Sequence, residues 1–196
     1  MGSTMHDCLN SKFFCLIVLQ CALLTPVIGC AETFSVAVKN AELERKEGWY
    51  LLNTDINYHL SPTAKHALQN SISLAWTLYV KIIRRRPWIW DETIADLSFR
   101  YKIRYHALLN KYLVQQENGA AYYSFSTLTA ALYKLGTVRG LKIIEQGRLT
   151  PRPAEYRVAI KIDFNKETLP LPLRPFSYFD SEWYLSSNWL TWPVQK

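Results

Sequence analysis

Arg100, Lys102, Arg104 and His106 follow one another at intervals of two. On a β-strand that spacing projects all four side chains from one face, and together they would make a surface for an anion. Arg84, Arg85 and Arg86 precede them in the chain and are candidates to adjoin them in space. The competing reading is plain solvation, since a sheet covered on one side needs a polar outer face anyway. Trp88, Ile89, Trp90 and Asp91 come next after the arginines and Pro87. An arginine over an indole ring gives a cation–π contact of about 0.5–2 kcal/mol. Trp88 and Trp90 are therefore a candidate aromatic clamp, the alternative being that they close one end of a sheet packing.

Catalytic chemistry finds little to work with. The histidines are His6, His59, His66 and His106, and none shares a metal-ligand spacing with another. Asp55 and His59 would lie on one strand face, but about 13 Å apart by strand rise, too far for a direct hydrogen bond. Asp91 and Glu92 fall in a loop, where carboxylates are ordinarily solvated. No GxSxG elbow, P-loop, HExxH or GxGxxG run occurs. The expectation is a domain with no catalytic residues, no metal and no cofactor.

The elements that must position these residues read as mainly β, or α+β by count. Phe34, Val36 and Val38 alternate with polar or small residues, and Gly48 breaks the charged run from Glu42 to Glu47. A second strand from Tyr50 to Leu60 completes a hairpin. Ser61 and Pro62 supply an N-cap and a first helical residue for a helix ending near Gln69. Strands follow over Ile72 to Ile83, over Leu97 to Tyr105 with the basic residues on its outer side, and over Tyr112 to Gln115 beyond a turn at Asn110. Ser126 caps a helix through Leu135, with Gly136 as its C′ stop. Further strands run from Gly140 to Glu145 and from Tyr156 to Phe164, with a proline-containing loop from Gln146 to Pro153 between them. The tail from Leu169 to Pro175 reads as extended. Trp183, Trp189 and Trp192 are expected to lie back over a sheet. About seven antiparallel strands with two short helices predict a β-sandwich or a strongly bent sheet.

The N-terminal residues read differently. Lys12 precedes an apolar stretch from Phe13 to Leu24, interrupted only by Gln20. It is too short to span about 30 Å of hydrocarbon as a helix, and it matches the apolar core of a signal peptide. Thr25 and Pro26 end it. Two cleavage readings stand: removal of residues 1–31 to leave Glu32 first, or a lipobox at Val27-Ile28-Gly29-Cys30 with Cys30 lipidated. An uncleaved anchor is a third, and Met5 is an alternative start. Residues 32–196 then form a single β-rich envelope domain. All four cysteines, Cys8, Cys15, Cys21 and Cys30, precede it, so it can hold neither an intramolecular disulfide nor a thiolate zinc site. The formal net charge is +7. Lys12 and Asp7 cancel, so the domain carries the excess. Export to the periplasm removes nucleic acid from the expected partners. It leaves envelope proteins and anionic membrane components, which attract a basic face over roughly a Debye length.

Four stretches together resemble one family: Arg86-Pro87-Trp88-Ile89-Trp90-Asp91-Glu92, Tyr101 to Leu108, Ser124 to Leu128 with Leu135-Gly136, and Trp183-Tyr184-Leu185-Ser186-Ser187-Asn188-Trp189. It is the proteobacterial family catalogued as domain of unknown function 4390, also called proline-rich signal peptide proteins. The resemblance covers essentially the whole of the exported part, in order and spacing. It implies an envelope protein whose gene often neighbours one for a membrane sensor kinase of the nitrogen-regulation type. It implies no reaction and carries over no catalytic residue. The lipobox is a departure from the ordinary signal peptide expected of the family. The resulting expectation is a non-enzymatic module that binds an envelope protein or component, its oligomeric state open. A carrier of lipid or of another small apolar ligand is the alternative, and a hydrolase comes third. A hollow interior would favour the carrier and a filled core the interaction module. A hydrolase would need a cleft with converging polar groups.

Overall fold

Alternating apolar and polar residues become nine strands among the residues that the computed structural model describes, which are 35–117, 119, 122–149 and 155–194. The expected targeting segment with its proposed cleavage sites, Cys30 and the prolines of the 146–153 loop lie outside them. In chain order come β1 (Val36–Lys46), β2 (Trp49–Tyr58), α1 (Pro62–Gln69), β3 (Leu74–Arg84), β4 (Glu92–His106), β5 (Lys111–Gln116) and β6 (Tyr122–Phe125). These are followed by α2 (Leu128–Gly136), β7 (Thr137–Glu145), β8 (Tyr156–Phe164), α3 (Arg174–Phe179) and β9 (Leu190–Pro193). All neighbours pair antiparallel, in a three-stranded sheet of order β1-β2-β7 and a six-stranded sheet of order β6-β5-β4-β3-β8-β9. The expected mainly β, sandwich-like architecture is what forms.

The two sheets close on one core. Leu52, Ile56 and Tyr58 of β2 enter it from one side, and Leu74, Trp76, Leu78, Val80 and Ile82 of β3 from the other. β8 adds Val158, Ile160 and Ile162. An aromatic chain runs through it: Tyr58 meets Trp76 edge to face at 5.0 Å, Trp76 lies 5.4 Å from Phe164, and Phe164 stacks on Trp183 at 5.9 Å. The indole N–H of Trp76 is satisfied deep inside by the Leu185 carbonyl, 2.9 Å away, as a buried donor requires.

Local signals account for the starts and turns. Glu47 and Gly48 join β1 to β2 with positive φ at both, 52° and 80°, the geometry that matches a two-residue hairpin to strand twist. The Ser61 hydroxyl accepts from the Ala64 N–H at 3.1 Å and caps α1. The far side of the same helix start is held by Glu182, whose carboxylate accepts from the Thr63 N–H at 3.0 Å.

Several expectations are corrected. β1 runs on past Val38 through the charged residues to Lys46. β1 is an edge strand, where exposed charges guard against pairing with another chain. β4 begins at Glu92, well before Leu97, because β3 extends to Arg84 and pairs with it throughout. α2 is capped by Thr127, not Ser126: the Thr127 hydroxyl accepts from the Ala130 N–H at 3.3 Å. Gly136 is the last helical residue and not a left-handed C′ stop; a Cβ there would run into the Ile56 carbonyl oxygen. The tail from Leu169 is not extended, since Arg174 and Pro175 start the short helix α3. The three late tryptophans do lie back over the sheet: Trp183 is buried, Trp192 packs partly on the core, and the Lys81 amine of β3 sits 5.5 Å from the ring centre of Trp189.

Candidate functional site

The outer face of the six-stranded sheet carries the predicted basic residues. Arg100, Lys102 and Arg104 point outward from β4 while Ile103 between them is fully buried, and His106 is half-buried. The expected extension to Arg84–Arg86 does not form. Arg84 sits opposite Glu92 and Thr77 opposite Arg100, so the two groups lie seven residues apart along β3, about 23 Å by strand rise. Carboxylates claim part of each group. Arg84 pairs with Glu155 at 3.6 Å, Arg100 with Glu117 at 3.0 Å, and Arg86 with Glu92. Among the described residues Arg85, Lys102 and Arg104 form no ion pair.

The candidate aromatic pair stands apart from the packed core. Trp88 and Trp90 are 101% and 93% exposed. Among the described residues no arginine lies over either ring, and the pair does not close an end of the sandwich. They form the tip of the loop joining β3 to β4.

A cleft of about 650 Å³ opens on the sheet's outer face, over Thr77 and Tyr79 of β3, Ser98 and Arg100 of β4, and Asp163 of β8. The register puts these side by side: Thr77 lies between Arg100 and Asp163, and Tyr79 faces Ser98. The far wall comes from the C-terminal segment. Lys166 extends over the ring faces of Tyr178 and Tyr184, at 4.8 and 5.0 Å from their centres. That wall is fixed from beneath. Trp183 stacks on Phe164, and Ser187 pairs with Ile162 through backbone N–H to carbonyl at 2.8 Å and through its hydroxyl at 2.9 Å. Ser186 accepts from the Phe164 N–H at 2.9 Å.

The cleft mixes charge. Arg100, Lys166, Asp163 and Glu167 all line it, and Asp163 already binds Lys161 at 3.1 Å. Its hydrogen-bonding groups stand between tyrosine faces, the composition of adaptable protein recognition surfaces. Of its lining only Arg100 was singled out by spacing. Tyr79, Lys166, Tyr178 and Tyr184 come from separate elements and share no sequence pattern.

A smaller hollow of about 260 Å³ lies at the end of β4, between Ser71, Arg104, His106 and Leu108. The Nδ1 atom of His106 is buried there without a hydrogen-bond partner. His59 bonds Asn57 at 2.7 Å, His66 bonds Asn70, and Asp55 pairs with Arg139. No group of three or more His, Cys, Asp or Glu side chains converges to hold a metal among the described residues. Burial pushes the Tyr101 phenol up to about 12, and raises Tyr58 further, with Tyr101 adding to the effect. Tyr58 lies in the core, and Tyr101 packs against it from the six-stranded sheet.

Comparison with known proteins gives one match. The model of the family described as Domain of unknown function (DUF4390) covers residues 34–193. No curated protein and no solved structure matches the chain.

Proposed function

The chain belongs to the DUF4390 family, and we propose that its domain is a non-catalytic recognition module of the cell envelope that takes an extended polar segment of a partner protein into the cleft over Thr77, Ser98 and Arg100. The observation that carries this reading is the wall. Lys166 lies across Tyr178 and Tyr184, and buried Trp183 anchors the segment that bears them. The walls are thus set before a ligand arrives, which lowers the ordering cost of binding. Mixed charge and hydroxyl groups suit a peptide better than a simple anion.

The carrier reading has less support. Trp76, Leu78, Val80, Ile82, Ile160 and Ile162 of one sheet and Leu52, Ile56 and Tyr58 of the other fill one core, and the cleft is open and polar. The cleft does contain two carboxylates, Asp163 and Glu167, the raw material of a hydrolase. Asp163 is already held by Lys161. Export, cleavage before Glu32 or lipidation at Cys30, and a link to a sensor kinase all follow from the N-terminal sequence and the resemblance. An intact mass of the envelope form tests the first two.

The test of the cleft is a photo-crosslinking residue at Ser98 in the full chain in cells, with Glu42 on the opposite sheet as control. Protein adducts should form at Ser98, not at Glu42, and should be lost with Lys166→Ser. Adducts that form equally at both positions, or none at Ser98, overturn the reading.

A further inference from the structure

The loop between β3 and β4 has no use in the cleft. Its tip presents three adjacent large apolar side chains to solvent: Trp88 at 101%, Ile89 at 68% and Trp90 at 93% exposure. Isolated exposed apolar residues are ordinary, but three in succession on a protrusion mark a contact surface. The tip is presented by a firm base. Arg86 pairs with Glu92 across the hairpin, Arg84 with Glu155, and the Arg85 N–H donates to the Glu155 carbonyl at 2.8 Å. The backbone at Trp88 has φ 76°, a left-handed conformation uncommon for a bulky residue.

We propose that this tip is a docking point for an anionic lipid bilayer. The shape argues for a fluid surface. The tip is convex and its rings are almost wholly exposed, so the partner must mould itself around both indoles, as an acyl–headgroup boundary does. The residue types match that boundary, since tryptophan belongs at the headgroup level with an apolar neighbour beneath it. The charge matches too. Arg84, Arg85, Arg86 and, one step away in register with Ile83, Arg157 stand against Asp91, Glu92 and Glu155. Arg85 carries no ion pair among the described residues, and the whole chain has net charge +7. Docking at the tip would hold the domain at a membrane surface and leave the cleft on the sheet face open.

The test uses tryptophan emission from the full chain on vesicles of brominated phospholipid. All seven tryptophans lie from Trp49 onward, so the apolar N-terminal stretch can tether the chain but cannot give a quenched signal. Emission should be quenched on brominated phosphatidylglycerol, at least about twofold more than on brominated phosphatidylcholine. Trp88→Phe with Trp90→Phe should remove most of the quenching. Ile89→Asp keeps both fluorophores and should abolish it, because a charge cannot enter the boundary. All three positions are solvent-exposed, so an unchanged melting temperature should confirm folding. Quenching that survives the double phenylalanine change would place the lipid contact elsewhere, for example at the exposed Phe176 and Phe179, and overturn the proposal. Equal quenching on the two lipids, or none on either, would overturn it as well.

Discussion

Tyr58 and Trp76 meet edge to face at 5.0 Å, and this contact joins the three-stranded sheet to the six-stranded one. Trp76 also donates its indole N–H to the Leu185 carbonyl. One side chain thus ties both sheets to the segment that walls the cleft. Trp76→Ala should cost about 3–5 kcal/mol, the range for emptying a large aromatic site in a core. Trp76→Phe keeps part of the packing but leaves the Leu185 carbonyl unpaired, a loss of about 1–3 kcal/mol. Urea unfolding of the two variants measures both. Equal losses would mean that the ring packing kept by phenylalanine contributes nothing.

Two glycines should respond to alanine for different reasons. At Gly136 the new Cβ meets the Ile56 carbonyl, a backbone atom that cannot swing away. Gly136→Ala should therefore destabilise by about 3 kcal/mol or more, at or beyond the usual overpacking range. At Gly48 nothing lies within 4 Å, but φ is +80°. Gly48→Ala should cost only about 1 kcal/mol, from backbone conformation alone. Thermal melts of the pair separate steric from conformational cost.

Tyr101 and Tyr58 make the fold sensitive to alkali. Burial raises Tyr101 to about 12 and lifts Tyr58 as well, above the ordinary value of 10.0. The folded state therefore keeps protons that the unfolded chain releases. This contribution is fully present below pH 10 and is lost as pH rises towards 12 and beyond. Tyr101→Phe cannot ionise, so its stability should fall less than that of the wild type between those limits. Denaturant midpoints across the range, with phenolate absorbance on the same samples, check the sign. A steeper alkaline loss in the variant would contradict it.

What could be read from sequence depended on how local the cause was. The alternation from Tyr156 to Phe164 and the Ser61-Pro62 helix start are local, and both form as expected. The outward row of Arg100, Lys102 and Arg104 was equally visible, because strand parity alone decides it. β6 and β9 were not, since each has four residues and owes its form to pairing with β5 or β8. The role of Gly136 was hidden for a similar reason: its constraint is a carbonyl eighty residues earlier, not a turn. The cleft brings residues of β3, β4 and β8 under Tyr178 and Tyr184, and no spacing encodes that. Trp88 and Trp90 drew notice by type, but their exposure shows that they do not close an end of the sandwich.

The basic row offers the sharpest separation of binding from folding. Arg100, Lys102 and Arg104 are exposed, and only Arg100 has a carboxylate partner among the described residues, Glu117 at 3.0 Å. An exposed pair of this kind contributes about 0–1 kcal/mol. Replacing all three by serine should therefore change stability by no more than about 0.5 kcal/mol each. Any attraction they exert on a partner in the neighbouring cleft is solvent-screened and should be felt most at low salt. The yield of adducts from a crosslinker at Ser98, measured in envelope extract, should fall in the triple variant at low salt and lose its salt dependence. Ile103 and Tyr101 lie between these residues on the opposite side of the strand, Ile103 fully buried. Ile103→Ser with Tyr101→Ser should destabilise by several kcal/mol, at about 1.5–3 for each large buried side chain. If the triple serine variant unfolds, the outward assignment of the row is wrong. If it stays folded and keeps its full yield at low salt, the row only solvates the sheet, and partner recognition rests on the tyrosine wall and Lys166.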